Sequence, residues 1–289
     1  MKTLNVIGAG RVGRTLASLW SEKHTFEVRE VLDGNPGGAR GAVAFIGDGV
    51  AVEAIEGMHP ADLWMITTPD RAIVGSVQRL AHAGLLRAND IVFHCSGSLP
   101  SSELASAGTV TARVASVHPL KTFADPREAV RTFVGTPCAA EGDRAALDVL
   151  VPAFERIGGR VAEIDPQWKT VYHAASVIVC NYLAALLETG LQCYERTGLD
   201  RATATAMMEP IVRETLDNVL ALGPANALTG PIARGDDAVV AKHLDALDAW
   251  DPHVGSIYRE LGRVALKLAR ERGEAEEDAL RRIEALLKR

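Results

Sequence analysis

Leu4-Asn5-Val6-Ile7-Gly8-Ala9-Gly10-Arg11-Val12-Gly13 decides the fold. An apolar run of strand length enters a Gly-x-Gly-x-x-Gly turn, and Val12, Leu16, Leu19 and Trp20 then recur at helical spacing. Gly8 lets the chain turn sharply out of the strand. Gly10 carries no side chain, so a pyrophosphate can approach the backbone, and Gly13 lets the helix pack closely on the strand. The helix N-terminus offers unpaired N–H groups and partial positive charge to phosphates. The competing reading is a tight turn in some other α/β protein. The order strand, glycine turn, amphipathic helix favours dinucleotide binding, with Arg11 and Val12 inside the turn.

The 289 residues, 47% hydrophobic, suffice for two domains or one large one. A net charge of −6 without a basic stripe argues against nucleic acid. No uninterrupted apolar run is expected to span a membrane, and a strand so near residue 1 leaves no room for a signal peptide. Cys95, Cys138, Cys180 and Cys193 lack metal-ligand spacing. They read as reduced, buried thiols of a cytoplasmic protein, and no metal is expected.

Outward from the turn, Phe26–Leu32 reads as a strand ending in the turn-rich Asp33-Gly34-Asn35-Pro36-Gly37-Gly38. Asp33 lies 20 residues after Gly13, where an acid bonds the adenosine ribose of NAD and repels the 2′-phosphate of NADP. It equally suits the turn itself. Arg11 and Arg40 are possible phosphate partners, so NADP and NAD both stay open. Asp62–Thr68 is a further strand, with Thr68-Pro69 expected on the cofactor and Asp70 opening a helix. Strands follow at Asp90–Phe93, Arg113–Val117, Phe133–Ala139 and Arg160–Ile164, with a helix from Asp143 to Ile157. Residues 1–165 therefore form a doubly wound, mostly parallel α/β sheet. From Gln167 onward no strand pattern is present, so residues 166–289 form an all-helical domain. Its first helix is a long apolar run, Trp168–Tyr194; a charged amphipathic helix, Glu274–Arg289, closes the chain.

Three constellations can carry chemistry. His173 and Asn181 are polar residues in the long apolar helix, eight residues apart, about a quarter turn on one face. They either bond inside the helical domain or face the interdomain crevice. There His173 would donate a proton and Asn181 would hold the substrate oxygen, with Tyr172 a competing donor. His118 follows a strand and precedes Pro119, through a bond able to be cis. Lys121 could balance an acidic substrate. Ser96-Gly97 ends another strand, where ligands of doubly wound sheets bind. Finally, Thr229-Gly230-Pro231 and Arg234-Gly235-Asp236 share one loop. Arg234 could grip a carboxylate, or Asp236 could cap the next helix and pair with Arg234.

GAGRVG, SGSLPSSEL, HPLKTF, WKTVYHAASVIVCNYLAAL and ALTGPIARGD together resemble a bacterial family of candidate NADP oxidoreductases. That family joins a Rossmann-like domain to a helical domain of unknown function. It is similar, more distantly, to 6-phosphogluconate dehydrogenase-like enzymes, including ketopantoate reductase and pyrroline-5-carboxylate reductase. The resemblance implies a 6-phosphogluconate dehydrogenase-like helical domain, a homodimer formed through it, and hydride transfer between NADP or NAD and a small substrate. Val117-His118-Pro119 resembles the segment beside the nicotinamide in pyrroline-5-carboxylate reductases. Ser96–Pro100 is similar to a substrate segment of hydroxyisobutyrate dehydrogenases. Ketopantoate reductases carry a lysine followed by asparagines four and eight residues on; with Asn181 as the second asparagine, His173 takes the lysine position. Asp33-Gly34 stands where many relatives show Ser-Arg, a departure bearing on NADP. A ketopantoate-like 2-oxo acid is the favoured substrate, touching Ser96, Gly97, Lys121, Tyr172, Thr229 and Arg234. Reduction of a cyclic imine, a deazaflavin-dependent reaction and cofactor sensing without turnover are the alternatives.

Overall fold

The computed structural model describes residues 1–107 and 112–288, which fall into two compact units divided between Val179 and Cys180. The strands of the first are β1 (Lys2–Ile7), β2 (Phe26–Leu32), β3 (Val50–Val52), β4 (Leu63–Ile66), β5 (Ile91–His94), β6 (Arg113–Pro119), β7 (Pro137–Gly142) and β8 (Arg160–Glu163). They make one sheet in the order β3-β2-β1-β4-β5-β6-β7-β8, parallel except where β7 meets β6. Helices α1 (Arg11–Glu22), α2 (Pro36–Ile46), α3 (Asp70–His82), α4 (Pro126–Arg131) and α5 (Arg144–Arg156) connect the strands. β4 and β5 are buried at every residue, as interior parallel strands covered on both faces must be. On one face Trp20 meets Phe26, Phe93 and Phe154 edge to face, and its Nε1 donates to the Ala153 carbonyl at 2.9 Å. Trp64, Ile73, Val77 and Leu80 fill the other.

Several local readings change. The glycine-rich stretch after Asp33 is α2 rather than a turn alone, because Asn35 Oδ1 accepts the Gly37 N–H at 2.9 Å and starts a helix. β7 begins at Pro137, not Phe133. All described peptide bonds are trans, His118–Pro119 included. β6 runs through this bond, pairing His118 with Ala139 and Pro119 with Cys138, and the extended backbone is what a residue before proline prefers. The four cysteines are free, but only Cys138 is buried; Cys180 is exposed on a helix face without cover.

A buried ion pair fixes the start of the long helix. Asp165 caps the 3₁₀ turn Pro166–Trp168, and α6 (Lys169–Ser176) follows. Lys169 Nζ donates to Glu141 Oε1 of β7 at 3.2 Å and to Ser116 Oγ of β6, with the two charged side chains 1% and 0% exposed. Glu141 also accepts the Ser101 N–H at 2.8 Å and the Ser101 hydroxyl at 2.7 Å. Ser101 opens the 3₁₀ segment Ser101–Ala107, so the loop after β5 is tied to the same pair. His94 closes that loop: its Nδ1 accepts the Ser96 N–H at 3.2 Å, and its Nε2 donates to the Pro100 carbonyl at 3.3 Å.

A π-turn, Val177–Asn181, leads into the second unit. Its helices are α7 (Tyr182–Arg196), α8 (Arg201–Leu222), α9 (Pro224–Ala227), α10 (Gly230–Ala233), α11 (Asp237–Trp250), α12 (Pro252–Arg272) and α13 (Glu277–Leu287). Val240, Leu244, Leu266, Leu280 and Ile283 form its core. The last helix ends before Arg289, which lies outside the described residues. Among the described residues one helical run, Pro166–Arg196, is long and apolar enough to cross a membrane by length and composition. The sequence reading missed it because Lys169, His173 and Asn181 interrupt its apolar residues.

Two stability predictions follow from these contacts. Lys169→Met strands the Glu141 carboxylate in the interior and should cost ~3–5 kcal/mol in urea unfolding, whereas Lys169→Met with Glu141→Gln should recover most of that loss. A single variant as stable as the wild type would show that the pair does not hold α6. Burial pushes His94 down to about 4. The unfolded chain therefore binds a proton there from about 6.5 downward that the folded chain refuses until about 4. Stability from this group is full above about 6.5 and falls by up to roughly 3 kcal/mol as pH drops through the window. His94→Gln should flatten that slope by up to one proton; an unchanged slope would remove His94 as its source.

Candidate functional site

The sheet order reverses between β1 and β4, and the chains leaving those strands part to form a cleft of about 630 Å³. Gly8 turns there with φ +94°, and a Cβ on it would lie 2.6 Å from the Thr67 carbonyl carbon. Thr67 Oγ1 donates to the Gly8 carbonyl, and the Thr67 N–H to the Ile7 carbonyl, at 2.5 and 2.8 Å. A Cβ on Gly10 would meet nothing within 4 Å, so the turn is open where the motif needs it open. The first N–H groups of α1 have no intrahelical partner. Thr68 Oγ1 lines the cleft, buried and without a hydrogen-bond partner among the described residues. An open glycine turn, free N–H groups and an orphaned hydroxyl fit a phosphate-bearing ligand.

Beside this cleft, Ser96 and Ser98 donate to Asp70 Oδ2 at 2.9 and 2.7 Å, which ties the loop after β5 to the first residue of α3. Gly97 lies beneath two rings. A Cβ there would stand 2.7 Å from His118 Cε1 and 2.8 Å from His173 Nδ1, so only glycine lets both rings close over the loop. His118 Nδ1 and the Tyr172 hydroxyl are 2.9 Å apart, with their rings nearly perpendicular. Burial, with Lys169 and His173 adding, holds His118 down at about 4, and burial raises the Tyr172 phenol to about 12. At neutral pH this is a neutral imidazole against a protonated phenol, a pair able to pass one proton along a single hydrogen bond. His173 Nδ1 is buried with no partner among the described residues.

The structure thus brings together Gly8, Gly10, Asp33, Thr68 and Pro69 on the cleft, and Ser96, Gly97, His118, Tyr172 and His173 beside it. Gly13 packs under the Gly8 carbonyl, and Val12 packs against the core. Arg11 and Arg40 are exposed and do not line the cleft. Lys121 donates to the Thr132 carbonyl at 2.9 Å, at the end of α4, and is not among the gathered residues. In the second unit, Asn181 is exposed at the end of the π-turn, so the α-helical phase expected to relate it to His173 does not run through. Thr229 lines a small apolar cavity with Pro231, Ile232 and Tyr258. Asp236 caps α11 through the Val239 N–H, whereas Arg234 is exposed and pairs with no carboxylate among the described residues.

Sequence reasoning passed over Lys169, Glu141 and Asp70. The signal for Lys169 was a lysine in an apolar run four residues before His173, one helical turn away on the same face. A glutamate in a β-strand of mostly small residues was the matching signal for Glu141.

A family model described as a Rossmann-like domain matches residues 2–119, and one for a domain of unknown function, DUF2520, matches residues 136–265. No curated protein matches the chain. Protein TM1727 from Thermotoga maritima is 25% identical with a TM-score of 0.74, covering 93% of this chain and 99% of its own. BF3122 from Bacteroides fragilis, a candidate NADP oxidoreductase, is 23% identical with a TM-score of 0.73 over 92% and 98% of the chains. An imine reductase variant from Myxococcus stipitatus in complex with NAD+ is 16% identical with a TM-score of 0.62 over 98% and 99%. The chain therefore carries a Rossmann-like domain followed by a DUF2520 domain.

Proposed function

We propose that this protein is a nicotinamide-dinucleotide-dependent oxidoreductase that reduces a small C=N or C=O bond. The observation that carries the reading is the His118–Tyr172 pair, set over Gly97 beside the β1–β4 cleft. Gly8, Gly10 and the first turn of α1 would hold the pyrophosphate, and Thr68, Pro69 and Ser96 the nicotinamide end. Bound there, the nicotinamide supplies the hydride. Tyr172 gives its hydroxyl proton to the developing nitrogen or oxygen and recovers one from His118 Nδ1–H, while His118 Nε2 takes up a proton from solvent so that the ring stays neutral. Ser96, Ser98 and Asp70 keep the Gly97 loop in place.

Charge favours an imine over the ketopantoate-like 2-oxo acid. Lys169 is committed to Glu141 and Lys121 to the Thr132 carbonyl, while Asp70 adds a carboxylate near Ser96 and Ser98. These residues offer a free cation to no acid, but accept a neutral or protonated imine. Structural likeness to an imine reductase is in keeping with this reading. The protein is also proposed to work as a homodimer. Trp168, Val171, Ile178, Val179, Tyr182 and Leu186 are all more than 40% exposed along the long helix. Lys169 and Tyr172 bind the start of that helical run to the sheet, which holds its first turns against protein. A second copy, rather than lipid, is the cover this face asks for.

Oxidation of NADH or NADPH should be seen with small cyclic imines, and Tyr172→Phe should cut kcat by about 10²-fold while leaving dinucleotide affinity unchanged. Tight dinucleotide binding without turnover of any imine or 2-oxo acid would favour a cofactor sensor instead. Light scattering without detergent should give twice the 30.8 kDa chain mass. A monodisperse monomer, or a protein soluble only in detergent, would overturn the dimer.

A further inference from the structure

Arg14 touches two places at once. Its Nε and Nη2 donate to the Ala9 carbonyl of the glycine turn at 3.0 and 2.9 Å. Its Nη1 makes no hydrogen bond among the described residues, and the side chain lines a cavity of about 370 Å³. That cavity lies between α1, α2 and α4, and it shares no lining residue with the β1–β4 cleft.

The charge on its α1 and α4 walls is mostly positive. Arg14 and Arg127 line it, and neither pairs with a carboxylate among the described residues. Asp125 is the one acid on the lining, and its Oδ1 accepts the Arg127 and Glu128 N–H groups at 2.8 and 3.0 Å as the cap of α4. The Glu128 N–H above all, with the Arg127 N–H and the charges of Arg127 and Arg11 adding, holds the Asp125 carboxyl below its ordinary range. The charge of Arg11 therefore reaches this wall, from three residues before Arg14 on the same face of α1. Glu128, the next acid along α4, is paired with Arg131 at 3.4 Å. In a chain of net charge −6 this is a local excess of cations. The α2 wall is apolar and open instead. A Cβ on Gly41 would meet nothing within 4 Å, Ala44 is exposed, and Phe45 is half-buried.

We infer that this cavity is a second binding site, for the phosphate monoester of a small organic molecule. Arg14 Nη1 and the Arg127 guanidinium grip the phosphate through charge-assisted hydrogen bonds, a geometry that guanidinium groups suit better than ammonium groups do. Gly41, Ala44 and Phe45 receive the organic body. No histidine, serine or cysteine lines the cavity, so the ligand is an effector rather than a second substrate. It occupies none of the cleft, yet it bonds to the side chain that holds the Ala9 carbonyl. The site stands on its own residues and does not depend on the dinucleotide reading.

Isothermal titration calorimetry of the purified protein with phenyl phosphate and with inorganic phosphate tests it. Phenyl phosphate should bind at about 1 mM or tighter, and at least about fivefold more tightly than inorganic phosphate. Arg127→Ala and Ala44→Glu change exposed residues off the cleft. Each should weaken phenyl phosphate at least about fivefold while leaving NADH affinity within about twofold of the wild type. Saturating NADH should leave phenyl phosphate binding in place. No binding of phenyl phosphate, or binding unmoved by both substitutions, overturns the inference. Displacement by NADH puts the anion on the glycine turn and also overturns it. Equal binding of the ester and inorganic phosphate would mean an adventitious ion only. If NADH itself does not bind, the dinucleotide reading falls and the two substitutions still decide this one.

Discussion

The Lys169–Glu141 ion pair is the constraint on which the rest of the site depends. Two charges withdrawn from water cost several kcal/mol each unless their remaining hydrogen-bonding capacity is met. Here Glu141 takes the Ser101 N–H and hydroxyl as well as Lys169, and Lys169 takes Ser116. Periodicity does the rest. Residues three and four along a helix share a face, so a Lys169 seated on β6 turns Tyr172 and His173 the same way. Residues two apart on a strand share a face, so the Ser116 that receives Lys169 carries His118 beside it. Ser101 ends the loop bearing Gly97. One buried contact therefore registers α6, β6, β7 and that loop against each other.

The same pair shapes the chemistry of what it positions. An ammonium under the sheet edge adds to burial in keeping His94 and His118 neutral. A neutral His118 can both accept from and donate to Tyr172 as its proton moves between ring nitrogens, which a permanently charged imidazolium cannot do. Burial keeps the phenol protonated at the other side of the bond. The proton carriers are thus uncharged at rest, while the formal charges lie one layer below them in Lys169 and Glu141 or to one side in Asp70.

Much of this was legible in the chain, for identifiable reasons. The first strand, turn and helix announce themselves because burial, three glycine positions and helical spacing all agree within 20 residues. β2 matches its expected bounds because buried Phe26 and Val28 alternate with exposed Glu27 and Arg29 before Glu30, Val31 and Leu32, all buried. α2 was hidden by Gly37, Gly38 and Gly41, which read as turn composition; an asparagine cap and the buried Ala39, Ala42 and Ile46 outweigh them. His118, Tyr172, His173 and Gly97 stood out as polar or side-chain-free residues where a core element ends. Lys169 and Glu141 did not, since each is explained only by a partner 28 residues away, and a lysine early in a helix reads as solvated until its partner is known. Asp33 had two readings, turn former and cleft wall, and the structure gives it both contacts at once.

Charge along the cleft follows from which groups are already spoken for. At one end Asp33 is pinned by backbone N–H groups, with Glu53 facing the same space. Past the other end Asp70 is pinned by two serine hydroxyls. Between them stands the N-terminus of α1, whose unpaired N–H groups and dipole are positive. The sequence negative, positive, negative suits a ligand whose own charge is concentrated at its centre and whose two ends offer hydroxyls. A dinucleotide has that form: a central pyrophosphate between two ribosides. The Ala9 N–H that shapes the glycine turn thus also fixes the Asp33 carboxylate on the wall of the cleft.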